Sequence, residues 1–152
     1  MTEKKEMILE EMTFNEFEFQ YALGTLSFED LLIIAQKSIS KDILTFLSKH
    51  SEWYVRCYVA KNTCTPSKVI AYLSYDKEKT VRCFVADNPY TPKNVLTYLS
   101  YDKSPDVRFY VGGNKSTPTK ALARLSNDKV ADVKYNVSIN PNNPKRNRKN
   151  ND

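Results

Sequence analysis

Apolar residues in the middle of the chain recur at the three- and four-residue spacing of an α-helix. Residues 55–62 place their apolar side chains on one helical face, and residues 69–76 repeat this spacing after a Thr-Pro step. The pattern predicts two short helices. We expect Asn62 to end the first in the left-handed conformation that helix exits use. We expect Thr65 to be the N-cap of the second, with Pro66 at its first helical position.

This two-helix pattern returns every 26 residues. The positions that keep the step are Val55, Val81, Val107 and Val133; Asn62, Asn88, Asn114 and Asn140; Pro66, Pro92, Pro118 and Pro144; and Leu47, Leu73, Leu99 and Leu125. Residues 55–80 and 81–106 are identical at 15 of 26 positions. A period of this length indicates an α-solenoid, in which each helix pair buries its apolar stripe against the next.

The repeat divides the chain into parts. We expect an all-α fold with about four repeats and degenerate ends, because terminal units of repeat proteins are atypical. The expected parts are an acidic helical cap (1–26), a degenerate unit (27–54), three full units (55–80, 81–106 and 107–132), a truncated unit (133–144) and a disordered basic tail (145–152).

The repeated pattern Val-Arg-x-x-Val-Ala-x-Asn-x-x-Thr-Pro-x-x-Val-x-x-x-Leu-Ser-x-Asp resembles that of the leucine-rich repeat variant family of bacteria, which is related to HEAT repeats. The resemblance covers residues 55–144 well and residues 27–54 loosely. It implies a right-handed α-solenoid of alternating helices. The founding type of the family carries an iron–sulfur cluster on N-terminal cysteines, but this chain has no cysteine before Cys57, so no cofactor is expected.

Composition and charge narrow the possible functions. Residues 1–40 hold eight acids and three bases, a net charge of −5, so the remaining residues carry +10 of the chain total of +5. Three cysteines without a CxxC pair, and a single histidine, indicate neither a disulfide framework nor a metal site. Cys57 and Cys83 share one repeat position and are expected to serve in packing.

The chain shows no Gly-rich phosphate loop and no catalytic nucleophile–base motif. We therefore expect a protein that is not an enzyme and has no small-molecule substrate. No signal peptide is evident, and the longest apolar run is five residues, too short to span a membrane. This favours a cytoplasmic protein without membrane contact.

An acid–base ladder runs through the units at a six-residue spacing. The expected pairs are Asp76 with Arg82, Asp102 with Arg108, and Asp128 with Lys134. An arginine column can bind phosphates. The favoured interpretation is structural, with charge-assisted bonds linking successive units.

A tyrosine-rich face of the second helices is the best candidate for binding. It comprises Tyr72, Tyr75, Tyr98 and Tyr101, edged by Lys68 and Arg124. Tyrosine and arginine are enriched in protein hot spots, and tyrosine also stacks on exposed bases. The alternative is that the tyrosine rings pack between units and expose only their hydroxyl groups.

A second set of candidates is basic. Lys77, Lys103 and Lys129 form a column after the aspartates, and the tail holds Lys145, Arg146 and Arg148. These residues either contact a phosphate backbone or are solvated charges without a function.

Together the candidates predict a macromolecule-binding scaffold. The first hypothesis is interaction with an acidic protein through the tyrosine-rich face, and the alternative is nucleic-acid binding through the lysines and the tail. A shared face for the tyrosines and the lysine column favours nucleic acid, whereas opposite faces favour protein.

Overall fold

A computed structural model describes residues 3–144, and over that range the chain forms helices and turns without any strand. The expected all-α fold is confirmed. An N-terminal pair, α1 (Glu3–Glu10) and α2 (Phe14–Leu23), precedes the repeats. The first helices of the units are α3 (Phe28–Lys37), α5 (Trp53–Lys61), α7 (Lys79–Asp87), α9 (Pro105–Gly113) and α11 (Ala131–Ile139), and the second helices are α4 (Lys41–Leu47), α6 (Ser67–Leu73), α8 (Lys93–Leu99) and α10 (Thr119–Leu125).

The first helices pack directly on one another in chain order, from α3 to α11, and α1 packs on α3. Each second helix contacts the first helix of its own unit and that of the next unit. The second helices pack much less closely against each other. This sequential packing is consistent with a helical repeat, and it leaves grooves between neighbouring second helices.

The core consists of the apolar positions that recur every 26 residues. The repeated valines and leucines are completely buried, namely Val55, Val81, Val107 and Val133, and Leu47, Leu73, Leu99 and Leu125. Burial of apolar surface contributes about 25 cal/mol per Å², so these rows supply much of the stability. No helix within residues 3–144 is long and apolar enough to cross a membrane.

The repeated asparagine does not take the left-handed conformation. Asn62 and Asn88 both have φ near −65° and an extended ψ. The side-chain amide of Asn88 instead donates to the carbonyl oxygens of Ala60 and Asn62, at 2.7 and 3.1 Å, while its Oδ1 accepts from the N–H of Tyr90. The expected left-handed helix exit is therefore wrong, because this side chain serves to bind the preceding unit.

The repeated threonine does not cap the second helix either. The helix α6 begins at Ser67, one residue after Pro66, and no side chain caps it. The hydroxyl of Thr65 donates to the carbonyl of Val59 at 2.6 Å and so closes the first helix. The N-cap prediction is wrong because this hydroxyl reaches back to the Val59 carbonyl near the end of α5, which also accepts from the N–H of Asn62.

The N-terminal residues form two helices, α1 and α2, in the segment where the sequence predicts a helical cap. The helix α2 begins with a capping box between Thr13 and Glu16 and ends at Gly24, which adopts φ 66°. Ion pairs join α1 to α3, with Lys5 bonded to Asp30. The predicted disordered tail, with Lys145, Arg146 and Arg148, lies outside the described residues.

Candidate functional site: a basic, tyrosine-lined face of the second helices

The exposed side chains of residues 67–77, 93–103 and 119–129 form one surface, which we call the second-helix face. Its four tyrosines are largely accessible, with exposed fractions of 57% for Tyr72, 68% for Tyr75, 47% for Tyr98 and 69% for Tyr101. The rings are therefore not packed away between units. Aromatic faces remain available to a ligand.

Groove A lies between the ends of α6 and α8 and has a volume of about 400 Å³. The rings of Tyr75 and Tyr98 meet across it, with centroids 4.6 Å apart and planes tilted by 36°. Lys77 and Lys103 lie at its margin. Its lining residues are Tyr75, Asp76, Lys77, Arg82, Tyr98, Tyr101, Asp102 and Lys103.

Groove B is the equivalent depression one unit earlier and has a volume of about 610 Å³. Its lining residues are Lys49, His50, Ser51, Arg56, Tyr72, Tyr75, Asp76 and Lys77. Each residue of groove A lies 26 positions after a residue of groove B, so the repeat produces the same groove twice. The tyrosines and the lysine column therefore share one face.

The floor of each groove is a buried guanidinium–carboxylate pair. In groove A, Nε and Nη2 of Arg82 donate to the carboxylate of Asp102 at 2.6 and 3.0 Å. Nη1 of Arg82 also donates to the carbonyl oxygens of Asp76 and Lys77 in the preceding unit. The same arrangement holds for Arg56 with Asp76 and for Arg108 with Asp128.

The expected ion pairs at six residues are therefore wrong. Asp76 with Arg82 and Asp102 with Arg108 are linked only through the main-chain carbonyl of the aspartate. Asp128 is bonded by Arg108, and Lys134 is exposed. The arginine partner lies 20 residues before each aspartate because this arginine, on the first helix, reaches the loop that ends its own unit. Arg56 belongs to this set, and its place in the 26-residue register could have identified it.

In each arginine–aspartate pair, the guanidinium neutralises the negative charge of the carboxylate at the floor of the groove. Burial alone would raise the pKa of Asp76 and of Asp102, but hydrogen bonds from the paired arginine and from a backbone N–H outweigh it, so both pKa values lie below their ordinary range. For Asp128 the hydrogen bond from Arg108 is the largest effect and lowers its pKa as well. All three carboxylates are thus ionised and matched at neutral pH.

The remaining charge on the second-helix face is positive. Each of its three aspartates is paired with an arginine outside the face, and the other charged residues of the three segments are Lys68, Lys77, Lys93, Lys103, Lys120, Arg124 and Lys129. The six lysines are exposed. Seven like charges along one surface attract a polyanion. Sequence analysis did not single out Lys93, which lies at a position where the other units have Ser67 and Thr119.

Arg124 differs from its equivalents in the repeat. It occupies the register position of Tyr72 and Tyr98, and its guanidinium carbon lies 4.1 Å from the centroid of the Tyr101 ring. Its Nε donates to the hydroxyl of Ser100 at 3.3 Å. The row of tyrosines thus ends in a cation held against an aromatic face.

At the other end of the row, aromatic residues of the chain pack on one another. Phe46 of α4 is the register equivalent of Tyr72, and aromatic residues of α2 contact it. The ring centroid of Phe46 lies 5.2 Å from that of Tyr21 and 5.4 Å from that of Phe17. Phe46 is therefore partly covered by α2, and 38% of its surface stays exposed.

The cysteines lie away from this face. Cys57 and Cys83 are buried, in agreement with the packing role expected of them. Burial raises the pKa of Cys57 to about 12 and that of Cys83 to about 11, so both thiols stay protonated at neutral pH. Within residues 3–144, no group of three or more His, Cys, Asp or Glu side chains could hold a metal ion.

Comparisons of the chain with protein-family models, with curated proteins and with solved structures found no match.

Proposed function

We propose that the protein is a non-enzymatic α-solenoid scaffold whose second-helix face binds single-stranded nucleic acid. The observation that supports this most is that exposed tyrosines and exposed lysines line the same grooves. A ligand on this face must offer flat apolar groups and regularly spaced negative charges. A single strand of nucleic acid carries both.

Stacking of bases on the tyrosines would supply the contact that does not depend on salt. Each base stacked on an aromatic side chain contributes about 1–3 kcal/mol. Lys77 and Lys103 lie at the margin of groove A, where the backbone of a stacked strand would pass. In a duplex the bases stack on each other, so only the phosphate contacts would remain. We therefore expect a preference for single strands.

The test is fluorescence anisotropy of labelled single-stranded DNA, single-stranded RNA and duplex DNA with the full chain, between 50 and 200 mM salt. Each phosphate contact to a single strand contributes about −0.7 to the log–log slope of affinity against salt. Replacing Tyr98 by Ala should weaken single-strand binding by roughly 5- to 150-fold. The matched control is Tyr135→Ala, since Tyr135 is exposed on α11, outside the face.

The basic tail is tested in the same assay. Lys145, Arg146 and Arg148 are changed together to Ala in the full chain. Binding that survives this change and depends on Tyr98 assigns the affinity to the second-helix face. Binding that vanishes with the tail residues, or that is equal for duplex and single strand, contradicts the proposal.

A second candidate function is interaction with an acidic protein, through Tyr72, Tyr75, Tyr98, Tyr101, Lys68 and Arg124. The observation that favours it is the packing of α2 on Phe46. The helix α2 contains two glutamates, and its aromatic residues contact Phe46, the first member of the row that continues as Tyr72 and Tyr98. A partner helix with acidic and aromatic residues could pack on the later members in the same way.

The two candidates are separated by a synthetic peptide with the sequence of residues 13–24, labelled and titrated in parallel with the oligonucleotide. Peptide binding that depends on Tyr75 and Tyr101, with no oligonucleotide binding at physiological salt, would favour the protein-interaction function. Melting temperatures of the variants are the control, because a large drop would indicate a role of these tyrosines in the core.

A further inference from the structure

The second-helix face changes character from one end to the other. At a single register position the successive units place Phe46, Tyr72, Tyr98 and Arg124. The first contacts aromatic residues of the acidic helix α2, the next two line open grooves, and the last is a cation. A bound strand would therefore meet acidic residues at one end and a guanidinium at the other.

Arg124 differs from the arginines of the groove floors because its hydrogen bonds are incomplete. Arg56, Arg82 and Arg108 each bind a carboxylate through two nitrogens. Arg124 makes one long bond to Ser100, and its Nη2 is buried without a hydrogen-bond partner within residues 3–144. An unsatisfied buried donor is unfavourable. A ligand acceptor that drew the guanidinium outward would satisfy this donor, and the new hydrogen bond would favour binding of the ligand.

The neighbouring carboxylate does not provide this acceptor. Asp128 accepts two bonds from Arg108, at 2.7 and 3.0 Å, and a third from the N–H of Val130. A planar guanidinium with free N–H groups matches the paired oxygens of a phosphate. Lys129, which directly follows Asp128, is exposed and adds to the positive charge of the loop after α10.

We propose that Arg124 binds a backbone phosphate of the strand just beyond the base held in groove A. The proposal rests on the nucleic-acid function proposed above. Bases stack in grooves B and A, and the strand leaves the tyrosines at Arg124. The exposed acids of α2, Glu16 and Glu18, disfavour phosphates at the opposite end.

The first test is the salt dependence of oligothymidylate binding by the full chain and by Arg124→Gln. Loss of one phosphate contact should make the log–log slope less negative by about 0.7. The matched control, Lys134→Gln, removes the same charge from an exposed position on α11 and should leave the slope unchanged. A weaker affinity with an unchanged slope would show that Arg124 only supports Tyr101, and would overturn the phosphate assignment.

The second test neutralises single phosphates of the strand. Oligothymidylates carry a single uncharged methylphosphonate linkage near either the 5′ or the 3′ end. Near at least one end the neutral linkage should weaken binding to the wild type several-fold and have no effect on Arg124→Gln. Equal responses of the two proteins at both ends would overturn the phosphate contact. Failure of the wild type to bind any oligonucleotide would instead refute the proposed function itself.

Discussion

The asparagine at each unit boundary satisfies three backbone groups with one side chain. Nδ2 of Asn114 donates to the carbonyls of Ala86 and Asn88, and its Oδ1 accepts from the N–H of Ser116. Aspartate could not donate, and serine or threonine has a single donor. The amide is therefore the side chain that fits a site with two carbonyls and one N–H.

Removal of this amide should destabilise the fold. Asn88→Ala removes the donor to the carbonyls of Ala60 and Asn62 and the acceptor for the N–H of Tyr90, and we expect a loss of roughly 2–4 kcal/mol in the free energy of unfolding. Urea denaturation measures it. The control is Asn94→Ala, at an exposed position of α8, which should change stability by less than about 0.5 kcal/mol. Equal effects of the two substitutions would contradict this role.

At the scale of helices, each floor arginine joins three segments. Arg82 lies on α7, binds the loop after α8 through the carboxylate of Asp102, and binds the loop after α6 through the carbonyls of Asp76 and Lys77. The pair is buried, with 8% of the Arg82 side chain and 7% of the Asp102 side chain exposed. Removal of one partner leaves an uncompensated charge in this setting.

We therefore expect Asp102→Asn to lower the free energy of unfolding by about 3–5 kcal/mol. The matched control is Asp106→Asn, because Asp106 pairs with Lys79 at the surface, where more than half of each side chain is exposed. Such a pair contributes about 0–1 kcal/mol. Denaturant titration of both variants decides the point, and a loss below 1 kcal/mol for Asp102→Asn would show that this pair does not stabilise the joint.

The same pairs determine how stability depends on pH. The pKa values of Asp76, Asp102 and Asp128 are lower in the folded chain than in the unfolded chain, so the unfolded state binds protons more readily as the pH falls. The stabilisation is complete above the ordinary aspartate pKa of about 4 and is lost as the pH falls through the lower folded values.

Asp102→Asn should accordingly show a shallower loss of stability between about pH 5 and pH 2 than the wild type, because one of the titrating groups is gone. Unfolding free energies measured at several pH values in that range test this. Identical slopes for the two proteins would mean that the pair with Arg82 does not lower the pKa of Asp102.

At the scale of the whole molecule, the 26-residue repeat in the sequence predicts the features that recur in every unit. The buried rows of valine and leucine follow directly from it, because each unit must cover the next. The partner of each arginine did not follow, since a separation of 20 residues becomes a contact only once the two helices of a unit have turned back on each other. The packing of Tyr21 and Phe17 on Phe46 was likewise out of reach, because α2 lies outside the register.

Charge is also distributed at this scale, with a positive second-helix face and an acidic N-terminal region. A polyanion that binds only the folded state should stabilise it by about 2.7 kcal/mol when present at 100 times its dissociation constant. For a chain of this size, that gain raises the melting temperature by roughly 5–10 °C. We expect polythymidylate to retain most of this shift at 150 mM salt, because stacking on Tyr75 and Tyr98 is not screened.

Polyphosphate, which has the charges but no bases, should stabilise the protein at low salt and lose its effect at 150 mM, since it depends on the lysines alone. Thermal melts with both polymers, followed by the far-UV signal of the helices, make the comparison. If the two polymers shifted the melting temperature equally at each salt concentration, the tyrosines would contribute nothing to binding. The second-helix face would then act as a surface of uniform positive charge, and an acidic protein would fit it as well as a nucleic acid.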